Sequence, residues 1–260
     1  MYKDAREKLL SFLEKTFDMN DAKVKHKLSH TFFVVENSSY LGDKLGLSNE
    51  DVELAKLIAL FHDFGRFYEA RDYKSFREEL IKMDHASLGV KLLFDEGLIR
   101  EFISDNKYDS VMRTAIGEHS KYILDTSGMS KEEELHSKLI RDADKLDTLR
   151  SKIVSDIYTM ANITEDDIIN SIVSDNIFND FMNEKTILSS DRKTGLDIWV
   201  SYIAFIFGLY FKESLDLVRE KGYVDALIDR FNYSSETAHK QMEMIRKKSH
   251  EYLKGGLNEN

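Results

Sequence analysis

Residues 48–67 read SNEDVELAKLIALFHDFGRF. Ser48 followed by an acid at Asp51 is a helix start, because a hydroxyl at the N-cap accepts an N–H that the first turn leaves unpaired. Val52, Leu54, Leu57, Ile58 and Phe61 then recur at spacings of mostly three and four, which puts them on one side of an α-helix. Gly65 is expected to stop that helix. His62 and Asp63 interrupt the apolar run at its end. An ionised carboxylate among such neighbours is costly unless it is paired or bound to a metal. The pair is therefore a salt bridge, a helix cap or part of a site.

The same spacing extends in both directions. Leu9, Leu10, Leu13 and Phe17 share a face near the N-terminus. Val24, Leu28, Val34, Val35, Leu41 and Leu45 mark a second helix within residues 24–46. Ser130-Lys131-Glu132-Glu133 is a second capping box, opening a helix through Leu135, Leu139, Ile140, Ala143 and Leu146. Ser235 to Leu253 reads as a last amphipathic helix, with a frayed end expected from Gly255-Gly256 onward. No segment alternates at a period of two and no Asn-Gly or Asp-Gly hairpin signal occurs, so the fold class is all-α. Residues 183–194 are expected to form the longest loop. Residues 1–150 form the helical domain that carries the histidine motifs, and residues 151–260 a helical extension packing on it as one structural unit.

Composition narrows the chemistry. The 260 residues include no cysteine and no proline. Disulfides, thiolate zinc sites, iron–sulfur clusters and a cysteine nucleophile are excluded, so any metal must be held by imidazole and carboxylate. The net charge of −10 argues against a nucleic-acid-coating surface. The most apolar stretch, Ile198 to Phe211, has 14 residues. A bilayer needs about 20, so it is expected to be one buried core helix. No apolar segment follows the N-terminal residues, and a cytoplasmic location without membrane association is expected. Phosphate-loop, dinucleotide-binding, nucleophile-elbow and zinc-protease motifs are all absent.

Five of the eight histidines fall between residues 26 and 119. His30 precedes the apolar run Phe32 to Val35, His62-Asp63 ends the run described above, His85 follows Asp84, and His119 ends Ala115-Ile116-Gly117-Glu118-His119. Asp142, Asp144 and Asp147 lie on the helix opened by Ser130. On a helical wheel Asp147 lies nearer the apolar face than Asp144. His136, His239 and His250 sit among charged residues and are read as surface histidines. Adjacent helical residues diverge by about 100°, so His62 and Asp63 can share a target only in a cleft walled by other helices.

The order His30, His62-Asp63, Asp144 resembles the HD-domain superfamily of metal-dependent phosphohydrolases. HDFGRF, MDHASLGVKLL, AIGEH and RDADKLD look like that family's local patterns, and together they span about residues 26–147. The resemblance implies an HD-domain helical bundle. It implies His30 rather than His26 as the first ligand, and Asp144 as the last, through Ala-Asp-Lys-Leu. His85 and His119 occupy the slots that two-metal members add. The implied metal set is His30, His62, Asp63, His85, His119 and Asp144. It holds one or two divalent ions (Mn, Fe, Mg, Ni or Zn), with Asp63 bridging if there are two. With a single ion, His85 and His119 instead contact phosphate or donate a proton.

The implied activity is phosphoester hydrolysis on a nucleotide or other small phosphorylated metabolite by metal-activated water. Asp63, Arg66, His85 and His119 are the expected catalytic residues, and Arg66 and Lys145 can neutralise phosphate oxygens. Nucleic acid is not an expected partner. The extension shapes either the pocket or a dimer interface, which leaves a homo-oligomer open. Two other readings remain: a di-iron oxygenase on the same ligand slots acting on a small organic substrate, and a helical binding module with a vestigial site.

Overall fold

The computed structural model describes residues 1–74, 76, 83–161 and 163–255. Among these no strand occurs. The chain forms two compact units, Met1–Asp147 and Thr148–Asn260.

The first unit contains α1 (Tyr2–Thr16), α2 (Ala22–Lys44), α3 (Asn49–Phe61), α4 (Phe64–Asp72), α5 (His85–Val90), α6 (Ile99–Phe102) and α7 (Asp109–Glu118). α8 (Lys131–Val154) begins in this unit and ends in the next. The local signals act where the spacing predicts. Ser48 Oγ accepts the Asp51 N–H at 3.1 Å. Ser130 and Glu133 exchange reciprocal bonds of 3.2 and 2.9 Å at the start of α8. Ser48→Ala is expected to destabilise the fold by about 1 kcal/mol in chemical denaturation, the usual loss for an N-cap hydroxyl.

The core begins on α3, where Leu54 and every residue from Leu57 to Phe61 are buried. Phe12 of α1 stacks against Phe64 of α4 and Phe102 of α6, with centroids 5.8 and 5.4 Å away. Phe61 meets the same Phe102 at 5.2 Å. This aromatic cluster draws four helices together beneath His62 and Asp63 and keeps water from that side.

Gly65 does not stop the helix. α3 ends at Phe61, and Gly65 lies in the first turn of α4. A Cβ there would sit 2.2 Å from the carbonyl oxygen of His85 and 3.0 Å from the nitrogen of Gly89. The glycine is required for the close approach of α4 and α5, not for termination.

The second unit continues from the end of α8 with α9 (Ile157–Ala161), α10 (Glu165–Ile169), α11 (Asp175–Met182), α12 (Gly195–Ile203), α13 (Lys212–Lys221), α14 (Tyr223–Ile228) and α15 (Glu236–Gly255). Residues 183–194 form the expected loop, interrupted by a short 3-10 turn at Ser189–Asp191. Asp197 is fully buried, and its carboxylate caps the Ser174, Lys193 and Thr194 N–H groups at 2.7, 2.9 and 3.1 Å.

Ile198 to Phe211 is not one helix. α12 ends at Ile203, a 3-10 turn covers Ala204–Gly208, and Leu209 is extended. A run that is apolar on every side must find neighbours on every side. The tighter turn places Phe207 between Phe181 and Tyr252, 4.9 Å from each ring. Among the described residues no helix is long and apolar enough to cross a membrane. The tail from Gly256 onward, expected to fray, lies outside the described residues.

Candidate metal centre

Four helices and one chain reversal bring six donor side chains together in the first unit. α2 supplies His30 and, one turn earlier, Lys27. α3 closes at Phe61, and His62 keeps helical backbone angles, but Asp63 leaves them at φ −101° and ψ 21° and becomes the N-cap of α4. That single non-helical residue lets two adjacent side chains face one centre, which a continuous helix would forbid. α5 opens with His85 directly after its N-cap Asp84, whose carboxylate accepts the Ser87 N–H at 3.0 Å. His119 ends α7, and α8 supplies Asp144.

The two oxygens of Asp63 face different groups. Oδ2 lies 3.5 Å from His30 Nε2, 3.7 Å from His62 Nε2 and 2.7 Å from the Lys27 ammonium. Oδ1 lies 3.4 Å from His85 Nε2, 3.7 Å from His119 Nε2 and 3.9 Å from Arg66 Nε. Asp144 Oδ1 is 3.0 Å from His30 Nε2 and 3.9 Å from His62 Nε2. His85 Nε2 and His119 Nε2 approach to 3.1 Å. The four histidines and Asp63 are buried, whereas Asp144 is 27% exposed. Asp144 is therefore the member of the cluster nearest to solvent.

Three of the rings are held from behind. His62 Nδ1 donates to the Ala59 carbonyl at 2.8 Å, and His119 Nδ1 to the Ile116 carbonyl at 2.7 Å. Each bond spends one helix-end carbonyl and leaves Nε2 as the lone-pair nitrogen, directed at Asp63. His30 Nδ1 pairs with Asp147 Oδ2 at 2.6 Å. His62 Nε2 is buried and has no hydrogen-bond partner. An imidazole lone pair left unsatisfied among carboxylates and other imidazoles fits a divalent cation, and this donor set suits Mn²⁺, Fe²⁺, Ni²⁺ or Zn²⁺. His30, His62 and Asp144 form one group of compatible ligand atoms, and His62, Asp63 and His119 another, each within 4.8 Å.

The electrostatics of His62, His85 and Asp63 agree with that chemistry. Burial, with the neighbouring His119 and His30, lowers the His62 pKa to about 4, so its ring is neutral at ordinary pH. Burial and the Arg66 charge take His85 well below the usual histidine range. At His30, burial and Lys27 favour the neutral ring, but hydrogen bonds to Asp144 and Asp147 outweigh them and raise its pKa to about 9. Burial would protonate Asp63, yet Lys27 and the surrounding imidazoles hold it ionised, well below the usual carboxylate range.

All six residues expected from the sequence thus meet in one cluster. Arg66 lies at its edge. Its guanidinium is fixed by Glu69 at 2.7 Å and the Phe76 carbonyl at 3.3 Å, and Glu69 is itself fully buried. Lys145 sits beside Asp144, half-buried, with its ammonium 3.4 Å from the Arg141 carbonyl.

Sequence reasoning missed three participants. Lys27 is one turn before His30, a spacing that placed it on the same face. Asp147 was legible as the buried aspartate of α8 but not as the anchor of His30. Arg141 is a buried arginine on α8 that donates to the Glu118 and His119 carbonyls at 2.8 and 3.2 Å, closing the end of α7 that carries His119. Asp147→Asn is expected to weaken metal affinity about 10- to 100-fold while leaving the helical content unchanged, as for other partners that orient a ligating histidine. Titration of the apo-protein with Mn²⁺ measures it.

Among the histidines, one assignment from the sequence is overturned. His136 is not a surface histidine but 1% exposed, because it lies on the inward face of α8 one turn before Ile140. His239 is exposed and His250 half-buried, as histidines among charges should be.

Residues 28–149 match the family model described as HD domain. No curated protein and no solved structure matches the chain.

Proposed function

Because the chain belongs to the HD-domain superfamily, whose members are generally metal-dependent phosphohydrolases, we propose that it hydrolyses a phosphoester of a small metabolite, a nucleotide first among them. The observation that carries this reading is the division of Asp63, with one oxygen toward His30 and His62 and the other toward His85 and His119. Such a carboxylate is suited to bridge two divalent ions. His30, His62, Asp63 and Asp144 would hold the first, and Asp63, His85 and His119 the second.

Divalent ions in such a centre supply a water of lowered pKa and polarise phosphoryl oxygens. The remaining work falls to the protein's own groups. Arg66, locked to Glu69, presents a guanidinium of fixed direction to the charge that grows on the phosphate oxygens. Lys27 adds a second cation at Asp63. With a net charge of −10, the chain has no general attraction for anions, so recognition of a phosphate rests on these local charges. A histidine not engaged in holding a cation can protonate the leaving oxygen.

The test is metal analysis of the purified protein, followed by a nucleotide screen with phosphate detection under Mn²⁺. Phosphate release that is lost in Arg66→Ala, by about 10²-fold or more as for other transition-state donors, supports the reading. Visible absorbance and O₂ uptake with ferrous iron, without phosphate release, would replace it with oxygenase chemistry. Protein that takes up no ion at this centre would leave only a binding role.

A further inference from the structure

A second set of donor side chains meets where the first turn of α3 lies against α8. His136 is 1% exposed, and neither of its ring nitrogens has a hydrogen-bond partner. Burial lowers its pKa, so the ring is neutral and offers a lone pair. Its Nε2 lies 3.7 Å from Asp51 Oδ1, too far for a hydrogen bond.

Glu132 precedes His136 by four residues on α8, the spacing at which two helical side chains reach the same point. The three ligand atoms of Asp51, Glu132 and His136 lie within 4.8 Å of one another. The other oxygen of Asp51 accepts the Ser48 hydroxyl at 2.6 Å, which orients the carboxylate and leaves Oδ1 directed at His136. Among the described residues neither carboxylate is paired with a lysine or arginine.

We propose that Asp51, Glu132 and His136 form a second divalent-cation site, suited to Zn²⁺ and separate from the Asp63 centre. A buried imidazole with both nitrogens idle beside two unpaired carboxylates lacks one component, a cation. One imidazole and two carboxylates are a donor set that zinc accepts, with water filling the remaining position. Ligand atoms about 2.0–2.1 Å from a tetrahedral zinc lie roughly 3.4 Å apart. The Asp51–His136 separation of 3.7 Å is close to that, and the exposed Glu132 side chain is free to close the third edge. The ion would tie the first turn of α3 to the first turns of α8. Its role is structural, and turnover at the Asp63 centre does not require it.

The experiment uses the full chain, stripped with chelator and dialysed against Zn²⁺, with zinc content and melting temperature as readouts. Asp63→Ala silences the other centre. The Asp63→Ala chain is expected to retain one zinc per chain and to melt higher with zinc than without. Asp63→Ala/Glu132→Gln and Asp63→Ala/His136→Gln are expected to lose both effects. Zinc absent from the Asp63→Ala chain, or equal in the double variants, overturns the proposal. Glu132 is exposed, so Glu132→Gln in the otherwise unaltered chain leaves the fold intact. It should hold one zinc fewer than the parent, and an unchanged content would also overturn the site. Phosphate release by Glu132→Gln is expected to match the parent, so loss of this site and failure of the proposed hydrolase activity are read separately.

Discussion

Asp63→Ala is expected to remove the whole metal complement of the centre and to lower turnover by at least about 10³-fold. Loss of one electrostatic stabiliser alone costs about 10²–10³ in rate, and this residue serves more than one donor group. Both of its oxygens are within 3.7 Å of two imidazoles. No other side chain among the described residues stands between the His30–His62 pair and the His85–His119 pair in this way. Removing it also leaves the Lys27 ammonium, 2.7 Å away and only 14% exposed, without its carboxylate. Among the described residues, Asp144, on the His30–His62 side, is then the one carboxylate left against the imidazole Nε2 atoms of the centre, and the uncompensated Lys27 charge disfavours a further positive ion.

The measurement is metal content and phosphate release for Asp63→Ala and the isosteric Asp63→Asn. Both are made in the Glu132→Gln background, so that zinc bound near Asp51 is not counted. Circular dichroism checks that the helices persist. Asp63→Ala protein with full metal content and parental activity would overturn the assignment of the centre. His239→Ala, at an exposed position, is the control that should change neither quantity.

Gly65→Ala is expected to destabilise the protein by about 3 kcal/mol. In a helix interior glycine to alanine ordinarily stabilises, by roughly 1 kcal/mol of propensity. Here packing reverses the sign. The new methyl would lie 2.2 Å from the His85 carbonyl oxygen and 3.0 Å from the Gly89 nitrogen. Both are backbone atoms, so no side-chain rotation relieves the overlap, and α5 must move away from α4. For a chain of this size the melting temperature should fall by about 6–12 °C, at roughly 2–4 °C per kcal/mol.

The same displacement carries His85 away from Asp63, so the affinity for a second ion should fall with stability. Gly89→Ala distinguishes this account from a general intolerance of side chains in α5. Its Cβ would meet the Gly65 nitrogen at 3.4 Å and Ile116 Cγ2 at 3.9 Å, ordinary contacts. That variant should melt close to the parent, and an equal loss in the two variants would refute the close-approach argument.

Local signals in this chain were read correctly where the cause is itself local. Ser48 and Ser130 cap helices because a hydroxyl three residues from an N–H needs no tertiary partner. The three-four spacing of α8 likewise marks a buried face at Leu139, Ile140, Ala143 and Leu146, whereas α3 is buried on all sides from Leu57 to Phe61. Gly65 misled because a glycine near the end of a helical pattern has two uses, termination and close approach, and only the neighbouring chain selects between them. His136 misled because its sequence neighbours are charged, whereas burial on a helix depends on residues one turn away, Leu139 and Ile140. Ile198 to Phe211 was legible as buried but not as broken, since the rings of Phe181 and Tyr252 that receive Phe207 are remote in sequence.

The amino-acid sequence by itself determined the all-α class and the restriction of metal ligands to imidazole and carboxylate, and its motif order, through the resemblance to the HD-domain superfamily, pointed to His30, His62, Asp63, His85, His119 and Asp144. Those properties follow from residue type and from order along the chain, which folding does not alter. Only the tertiary structure decided that Asp63 turns its two oxygens toward different histidine pairs, and that Asp147 holds His30 from behind while Asp144 faces it in front. The reason is directional. Two carboxylates three residues apart on one helix are chemically equivalent until a ring on another helix presents Nδ1 to one and Nε2 to the other.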